Sequence, residues 1–406
     1  MLPMLLDDMR YPIDKKRWER YHGPPPDHPC SDPALKDSEK CLRTVRLFKS
    51  AVNYGAREQA DPSEKPTCLP SEEKRALRSK TEKDTLKVLH CGTGTSSQVP
   101  LRNQQRKDGH IADVFVHTGT NKKQGFDINL SMSPYEFNWK HNILSGVRNV
   151  INGNLRDLLN YEVYHLYHDA FLLPNRKDIW WLKKYLGKKV LLDWRGQGVR
   201  VWGFHTLPWF KDIKQTCATP DLLDYQQYEG QFEWVPIGIE VNKIRESVKS
   251  EFHEIPTIIH SPSNRNTKGT VHVLKAIKQL RKDKYKFDFI LNEKQPHDVT
   301  LRNFGKSDIC VGWMDPDFGI YAKIEMENMA LGNTVCATIR EDFLKDQFKG
   351  CPIVNVTPDS LVKNLRWLIE DYDFRKKNVK KNIDYVTRMH DIVPVSRKFY
   401  KVYKEC

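Results

Sequence analysis

The chain has 406 residues, enough for two domains of about 150 residues each with some sequence left over. Its formal net charge of +14 favours anionic partners, and nucleic acid, acidic lipid headgroups and phosphorylated small molecules all stay open on this ground. No uninterrupted apolar run approaches the roughly 18 residues of a spanning helix, which argues against a membrane-spanning protein.

The nine cysteines form no CxxC pair and no Cys/His spacing typical of a zinc site. Cys91, Cys310 and Cys336 fall within apolar, strand-like runs, where a free cysteine behaves as a small hydrophobic residue. We therefore expect reduced cysteines, a cytoplasmic protein and no structural metal.

Residues 1–84 are rich in charge and proline, as in the segments PPPDHP and DPSEKP, and show little apolar periodicity. Such a composition is typical of chain that forms no packed core. This segment is predicted to be a charged, partly disordered extension. It is either a solvated tail or an arm that contacts membrane or nucleic acid.

The sequence pattern changes at Leu86. An apolar strand, a turn rich in Gly, Thr and Ser, and a polar helix follow one another there, as in a Rossmann-like unit. Further strands are predicted within 112–119, 161–168 and 188–196, separated by helices such as 135–159 and 178–186. Strands that alternate with helices indicate a parallel sheet covered on both faces.

Ligands of such sheets bind at the carboxyl ends of the strands. The candidate residues at that edge of the first domain are Gly94, His165, His168 and Arg195. Each histidine by itself is more often a packed or surface residue, so a structural role stays open for both.

A break at Pro236-Ile237-Gly238 precedes a second series of strands and helices. Its strands are predicted within 257–265, 286–293, 308–313, 333–339 and 353–356. The helix predicted over 270–282 places Val271, Val273, Leu274, Ile277 and Leu280 on one side.

The sequence therefore predicts an α/β protein with two Rossmann-like domains that face each other across a cleft. We predict a first domain over 85–245, a second over 246–375, and a helical tail over 376–406 that packs back on the first domain.

Arg265 and Lys268 follow the first strand of the second domain and precede a helix N-terminus, where two cations can neutralise a diphosphate. Ser263, Asn264 and Thr270 add short hydrogen-bonding side chains around them. The alternative interpretation of this segment is a solvated loop.

The stretch 315–340 contains a predicted helix from about Tyr321 to Leu331 that carries Glu325 and Glu327. Two residues apart on a helix, these side chains project about 200° from each other, so at most one points into a given cleft. The alternative is an exposed helix face.

Two segments, HSPSNRNTKGT (260–270) and GIYAKIEMENMALGNTVCATIRE (319–341), resemble the nucleotide-sugar-binding domain of the retaining glycosyltransferases of family 4, which have the GT-B fold. The resemblance centres on Glu327. The family has a Glu followed by Ala-Met-Ala, a variable residue and Gly, and Glu327 is followed by Asn-Met-Ala-Leu-Gly. The segment 183–200 resembles the acceptor-side loop. The family's first Glu is replaced here by Gly319, and its usual Arg by Ser263, with Arg265 the nearest substitute.

This resemblance implies a retaining, metal-independent glycosyltransferase without a cofactor, which moves a sugar from a UDP- or GDP-sugar to a hydroxyl of a glycan or lipid-linked acceptor. Arg265 and Lys268 would then stabilise the departing diphosphate, and Glu327 would bind the ribose. The remaining donor-binding candidates are Ser263, Asn264, Thr270, Glu325 and Gly319, and those on the acceptor side are Gly94, His165, His168 and Arg195.

The missing first Glu motivates an alternative from another class, a degenerate GT-B protein that binds nucleotide or glycan without transfer. A nucleic-acid-binding protein is a third hypothesis that rests on charge alone, because no recognition motif accompanies it, and we expect no nucleic acid partner. The positive charge also suggests peripheral contact with an anionic membrane.

Overall fold

The computed structural model describes residues 85–92, 97–116, 125–129, 157–167, 177–196, 199–200 and 208–406. The predicted extension over 1–84, most of the predicted helix over 135–159, and the candidate residues Gly94 and His168 lie outside these ranges. None of the helices in the described ranges combines the length and the apolar character needed to cross a membrane.

The first sheet has seven parallel strands in the order β3-β2-β1-β4-β5-β6-β7. The strands are β1 (Lys87–Cys91), β2 (Ile111–Val116), β3 (Ile128–Asn129), β4 (Val163–Tyr167), β5 (Lys189–Trp194), β6 (Lys214–Cys217) and β7 (Glu233–Trp234). In the centre of the sheet, Val88 of β1 pairs with Ala112 of β2 and with Val163 of β4.

Alternate residues of these strands are buried on opposite faces of the first sheet. Leu89 of β1 and Val190 of β5 pack on one face with helix α2 (Lys177–Lys184). Val88 and Leu191 pack on the other face with helix α1 (Gln98–Lys107). Because side chains alternate along a strand, the sheet needs helices on both faces to bury its apolar residues.

The second sheet has five parallel strands in the order β12-β11-β10-β8-β9. Its elements are α3 (Val241–Ser247), β8 (Thr257–His260), α4 (Thr270–Lys282), β9 (Asp288–Leu291), α5 (His297–Gly305), β10 (Ile309–Val311), α6 (Lys323–Ala330), β11 (Thr334–Ala337), α7 (Glu341–Lys345), β12 (Val354–Asn355) and α8 (Leu361–Glu370). The predicted α/β architecture with two Rossmann-like domains is confirmed.

Helix α4 spans the predicted residues, but its buried face is narrower than predicted. Val273, Ile277 and Leu280 are buried, whereas Val271 is 55% exposed and Leu274 also faces solvent. The buried face is completed by Ala276, whose small side chain lets the helix lie close to the sheet. The periodicity thus located the helix, and the prediction for Val271 and Leu274 was wrong.

The predicted tail over 376–406 divides between the two domains. Helix α9 (Tyr372–His390) packs on the second domain, where Tyr385 and Val386 join its core. Helix α10 (Ile392–Glu405) packs on the first sheet, where Phe399 and Tyr403 are buried with residues of β1, β4 and β5. The segment before Asp391 therefore belongs with the second domain, because its apolar residues are buried there.

The chain passes between the domains at two adjacent points. The backbone N–H of Ile239 donates to the carbonyl of His390 at 2.8 Å, and that of Ile392 donates to the carbonyl of Ile239 at 2.9 Å. His390 is buried here, which lowers its pKa to about 4, and its Nε2 lies 2.7 Å from the Tyr321 hydroxyl. Tyr321 lies two residues before α6, so this crossing point contacts the segment that leads into the predicted site helix.

Candidate functional site

The order of strands in the second sheet predicts where a ligand binds. From β8 the chain continues to β9 on one side, and it then returns to place β10 on the other side of β8. Crevices at such a reversal, outside the carboxyl ends of the strands, are the usual ligand sites of open α/β sheets. The segments at this position are residues 261–269 after β8 and residues 312–322 after β10.

Lys268 lies at this reversal with its side chain buried. Its ammonium Nζ is 3.7 Å from the centroid of the Trp313 ring and 3.7 Å from Oε1 of Glu325. Burial lowers the pKa of Lys268 and nearby Arg200 lowers it further, while Glu325 acts in the opposite direction. A buried ammonium whose carboxylate partner lies this far away can bind a second anion.

The loop that carries Lys268 is held by its own backbone and side chains. Oδ1 of Asn264 accepts from the N–H of Asn266 at 2.9 Å and of Thr267 at 3.2 Å, while Gly269 adopts φ of +65°. Asn264 therefore shapes the turn. Any other residue at position 269 would have to adopt this unfavourable left-handed backbone conformation, and its Cβ would lie 2.8 Å from Cβ of Met314.

Thr270 begins helix α4 and is buried beside Lys268. Its hydroxyl lies 2.9 Å from Nε2 of His260, and Nδ1 of His260 donates to the carbonyl of Val311 at 2.7 Å. Burial lowers the pKa of His260 to about 4, so the imidazole is neutral at pH 7. This bridge fixes the N-terminus of α4 against β10.

Glu325 and Glu327 have different environments, as their spacing predicts. Oε2 of Glu325 accepts from the N–H of Ala322 at 2.8 Å and so caps helix α6. Its Oε1 lies against Gly312 and has no hydrogen-bond partner among the described residues. Glu325 is wholly buried, and it is the carboxylate nearest to Lys268 in the interior and not a side chain that reaches a cleft.

Glu327 lies on another side of α6, with 3% of its side chain exposed. Its Oε1 accepts a hydrogen bond from Nε2 of His297 at 2.8 Å and lies 3.5 Å from Nζ of Lys323. The buried carboxylate therefore has two more exposed partners, and both approach the same oxygen.

Arg265 and Ser263 do not share the environment of Lys268. Both are exposed, and the Arg265 guanidinium donates two hydrogen bonds to the carboxylate of Glu293, at 2.8 and 2.5 Å. Of the two cations predicted side by side, the structure buries one and pairs the other with an acid at the surface.

Gly319 occupies the position of the missing first Glu and has φ of +54°. Its carbonyl accepts from the N–H of Arg340 at 3.0 Å, and a Cβ at this position would lie 2.3 Å from Cγ of Arg340. Arg340 therefore occupies the space that a side chain at residue 319 would need.

The first domain approaches the site through Arg200. Its guanidinium donates to both oxygens of Asp221, at 2.6 and 2.9 Å, and lies 5.6 Å from the Trp313 ring and 5.3 Å from the Phe318 ring. A second interdomain contact joins Arg340 to Asp224 by an ion pair. The carboxyl edges of the two sheets thus face each other, and Lys268 lies between them.

His165 and Arg195 were predicted to lie on the acceptor side. His165 is wholly buried in the first domain, where its Nδ1 lies 2.7 Å from the Tyr403 hydroxyl and its Nε2 lies 3.3 Å from Asp193. Arg195 is paired with the same Asp193, which it helps to keep ionised: burial opposes ionisation, but the pKa of Asp193 is lowered overall. The placement of His165 is therefore that of a core residue covered by α10, and it lines no surface.

Three residues around the site were missed by the sequence analysis: Trp313, Arg200 and His297. Trp313 ends the predicted strand DICVGW, so its place at the carboxyl edge could have identified it. Arg200 and His297 carry no local signal, because their partners Asp221 and Glu327 are far away in the sequence.

The sequence matches no family model and no curated protein sequence. The structure is similar to a glycosyltransferase from Rickettsia africae, with a TM-score of 0.58 and 13% identity over 79% of this chain and 98% of that one. It is also similar to sucrose-phosphate synthase from Thermosynechococcus elongatus, with a TM-score of 0.56 and 12% identity over 79% and 98% of the two chains.

A third similar structure is HepE from Anabaena in complex with UDP and glucose, with a TM-score of 0.51 and 9% identity over 79% of this chain and 100% of that one. At these identities the likeness concerns the fold. The chain has the GT-B fold of these glycosyltransferases.

Proposed function

We propose that this protein is a retaining glycosyltransferase that moves a sugar from a nucleoside diphosphate sugar to a hydroxyl acceptor. The observation that carries the proposal is the buried ammonium of Lys268, which lies at the strand-order reversal beside the N-terminus of α4. Arg200 of the facing domain is a second buried cation near Trp313, and it is paired with Asp221. Two cations and a helix N-terminus around one crevice suit a diphosphate.

In this proposal Lys268 stabilises the negative charge that develops on the diphosphate as the bond from the anomeric carbon to the phosphate oxygen breaks. The acceptor oxygen forms its bond to the same face of that carbon, and its proton passes to the departing diphosphate oxygen. Thr270 supports the site indirectly, because its hydroxyl donates to Nε2 of His260 and so holds the start of α4 in place. Arg265 remains a candidate that would have to leave Glu293 to reach the diphosphate.

Glu327 is proposed to bind the ribose of the donor through Oε2, since the described residues place both of its donors on Oε1. HepE, which shares the fold, has been solved with UDP-glucose, and this supports a UDP-sugar as the first donor to test. Ser263, Asn264, Gly319 and Glu325 are proposed to shape the donor site through the backbone and the position of Lys268.

The transfer is proposed to need no metal ion, because cations of the chain itself can neutralise the diphosphate. EDTA should then leave the rate of transfer unchanged, and Mg²⁺ or Mn²⁺ should not raise it. Loss of activity in EDTA that a divalent ion restores would refute this part of the proposal.

The acceptor is proposed to be a glycan or a lipid-linked glycan at an anionic surface, with Arg195 on its side of the cleft. The net charge of +14 supports this, and so does helix α2, which leaves Trp181 and the following Tyr185 exposed next to the exposed Lys184. Aromatic and basic side chains together are typical of surfaces that contact the headgroup region.

The experiment is a screen of UDP-, GDP- and ADP-sugars by thermal shift, followed by transfer assays with glycan and lipid-linked acceptors and analysis of the anomeric product. A ligand at a hundred times its dissociation constant should add about 2.7 kcal/mol to the free energy of unfolding. The expected result is binding of one donor and a transfer product with the same anomeric configuration as that donor.

The alternative is a GT-B protein that binds a nucleotide but transfers no sugar. The close contact of Arg340 with Gly319 favours it, because no carboxylate can replace the family's first Glu at that point. Tight donor binding without hydrolysis or transfer across a broad acceptor panel would support this alternative over the enzyme.

A further inference from the structure

We infer that His297 positions Glu327 for the nucleotide and thereby sets the preference for ribose over deoxyribose. This inference rests on the proposed function, since it names the residue that orients the proposed ribose-binding carboxylate. His297 would be a positioning residue, because it acts through Glu327 and does not itself contact the reacting atoms.

The first step of the argument is the asymmetry of the Glu327 carboxylate. Nε2 of His297 at 2.8 Å and Nζ of Lys323 at 3.5 Å both approach Oε1. Within the part of the chain that the structure describes, no donor is paired with Oε2. One oxygen is therefore held by the protein, and the other keeps its lone pairs for a ligand that donates hydrogen bonds.

The second step is burial. Glu327 is 3% exposed, while His297 is 54% exposed. A buried carboxylate needs a partner to stay ionised, and an exposed imidazole can supply a hydrogen bond at little cost to its own hydration. Lys323 alone, at the longer distance and on a flexible side chain, fixes the direction of the carboxylate less well than a planar ring.

The third step is the position of the two residues in the fold. His297 is the first residue of α5, which follows β9, and Glu327 lies on α6, which follows β10. Their hydrogen bond joins the segments that follow the strands on either side of β8. It thus orients the carboxylate from the segment that follows β9, while Lys268 belongs to the segment that follows β8.

A vicinal diol is the chemical group that fits such a site, because it offers two hydroxyl donors to a carboxylate oxygen. Hydrogen bonds to charged groups contribute enough that loss of one should weaken binding about tenfold or more. The full-length protein should therefore bind UDP or GDP at least tenfold more tightly than the matching 2′-deoxy nucleotide.

The test measures this ratio by calorimetry for wild type, His297→Leu, His297→Gln and Arg302→Leu. In His297→Leu we expect the ratio to fall below about threefold. In His297→Gln it should persist, because the amide nitrogen can replace Nε2. Arg302→Leu is the matched control, being on the same helix and 57% exposed, and it should leave the ratio unchanged.

Thermal unfolding of each variant shows whether it is folded. An unchanged ratio in folded His297→Leu, or equal binding of ribose and deoxyribose nucleotides by wild type, would overturn the inference while leaving the proposed donor binding intact. Failure of every nucleoside diphosphate to bind wild type would overturn the proposed function, and this inference with it.

Discussion

Replacing Lys268 with methionine tests the proposed diphosphate site directly. The substitution keeps most of the apolar volume against Trp313 and removes the ammonium that lies 3.7 Å from Glu325. Both side chains are buried, so the variant leaves a buried carboxylate without its cation. Removing one partner of a buried ion pair costs about 3–5 kcal/mol, and the long separation here places the expected loss near 3 kcal/mol or below.

The effect on binding is separable from the effect on stability. If Lys268 contacts the diphosphate, the variant loses a charge-assisted interaction of about 1.5–3 kcal/mol, which raises the Kd of the nucleoside diphosphate about 10- to 150-fold. The nucleoside without phosphates should bind as it does to wild type. Calorimetry with UDP, UMP and uridine, or their guanosine counterparts, measures this difference at one temperature and ionic strength.

Two further variants control the experiment. Lys278→Met removes an exposed lysine from α4 and should change neither stability nor affinity appreciably. Lys268→Met combined with Glu325→Gln removes both charges, so it should recover most of the lost stability and none of the lost affinity. Equal loss of affinity for uridine and UDP, or unchanged UDP affinity in folded Lys268→Met, would refute the assignment of Lys268.

Three other predictions concern the frame around the site. Gly319→Ala should lower the free energy of unfolding by about 2–4 kcal/mol, and Gly187→Ala by only about 1 kcal/mol. Both glycines have positive φ, but among the described residues only a Cβ at 319 would meet a neighbour. Denaturant unfolding compares the two variants, and equal losses would contradict the crowding by Arg340. Burial lowers the pKa values of His260 and His390 from 6.5 to about 4, so between these values the folded state binds fewer protons than the unfolded chain. The free energy of unfolding should therefore be highest above pH 6.5 and fall toward pH 4 by up to about 3 kcal/mol per histidine. A His390→Gln variant with an equally steep pH dependence would argue against this origin. Asp224→Asn removes the exposed ion pair with Arg340 and should change the free energy of unfolding by less than about 1 kcal/mol. It should also increase the radius of gyration measured by X-ray scattering. An unchanged radius would show that this pair does not hold the domains together.

Much of the fold could be predicted because its strands are short apolar runs. Cys310 and Cys336, for example, lie in predicted strands and are buried, free cysteines. Strand β6 was missed because its sequence, KQTC, is mostly polar although Gln215 and Thr216 are buried. Their polar groups are satisfied by tertiary contacts, Gln215 with Trp194 at 2.9 Å and Thr216 with Asp193 at 3.0 Å, which no local pattern records.

The site was predictable to the extent that it depends on local order along the chain. Lys268 follows a strand and precedes a helix, and the different directions of Glu325 and Glu327 follow from helical spacing. The exposure of Arg265 could not be predicted, since it depends on Glu293, which arrives from the next strand. The approach of Arg200 to Trp313 depends on how two domains meet, and sequence periodicity contains no information on that.

The double crossing at Ile239 and Asp391 has a consequence for synthesis of the chain on the ribosome. Helix α10, fourteen residues long, covers the face of the first sheet that includes Val88 and Leu191, yet it is made after the whole second domain. Domains generally fold in the order in which they emerge, but here the first sheet cannot bury that face until residues 392–405 have left the exit tunnel. The first domain should therefore depend on the second to complete its folding, and a fragment that stops before Ile239 should expose an apolar sheet face and aggregate.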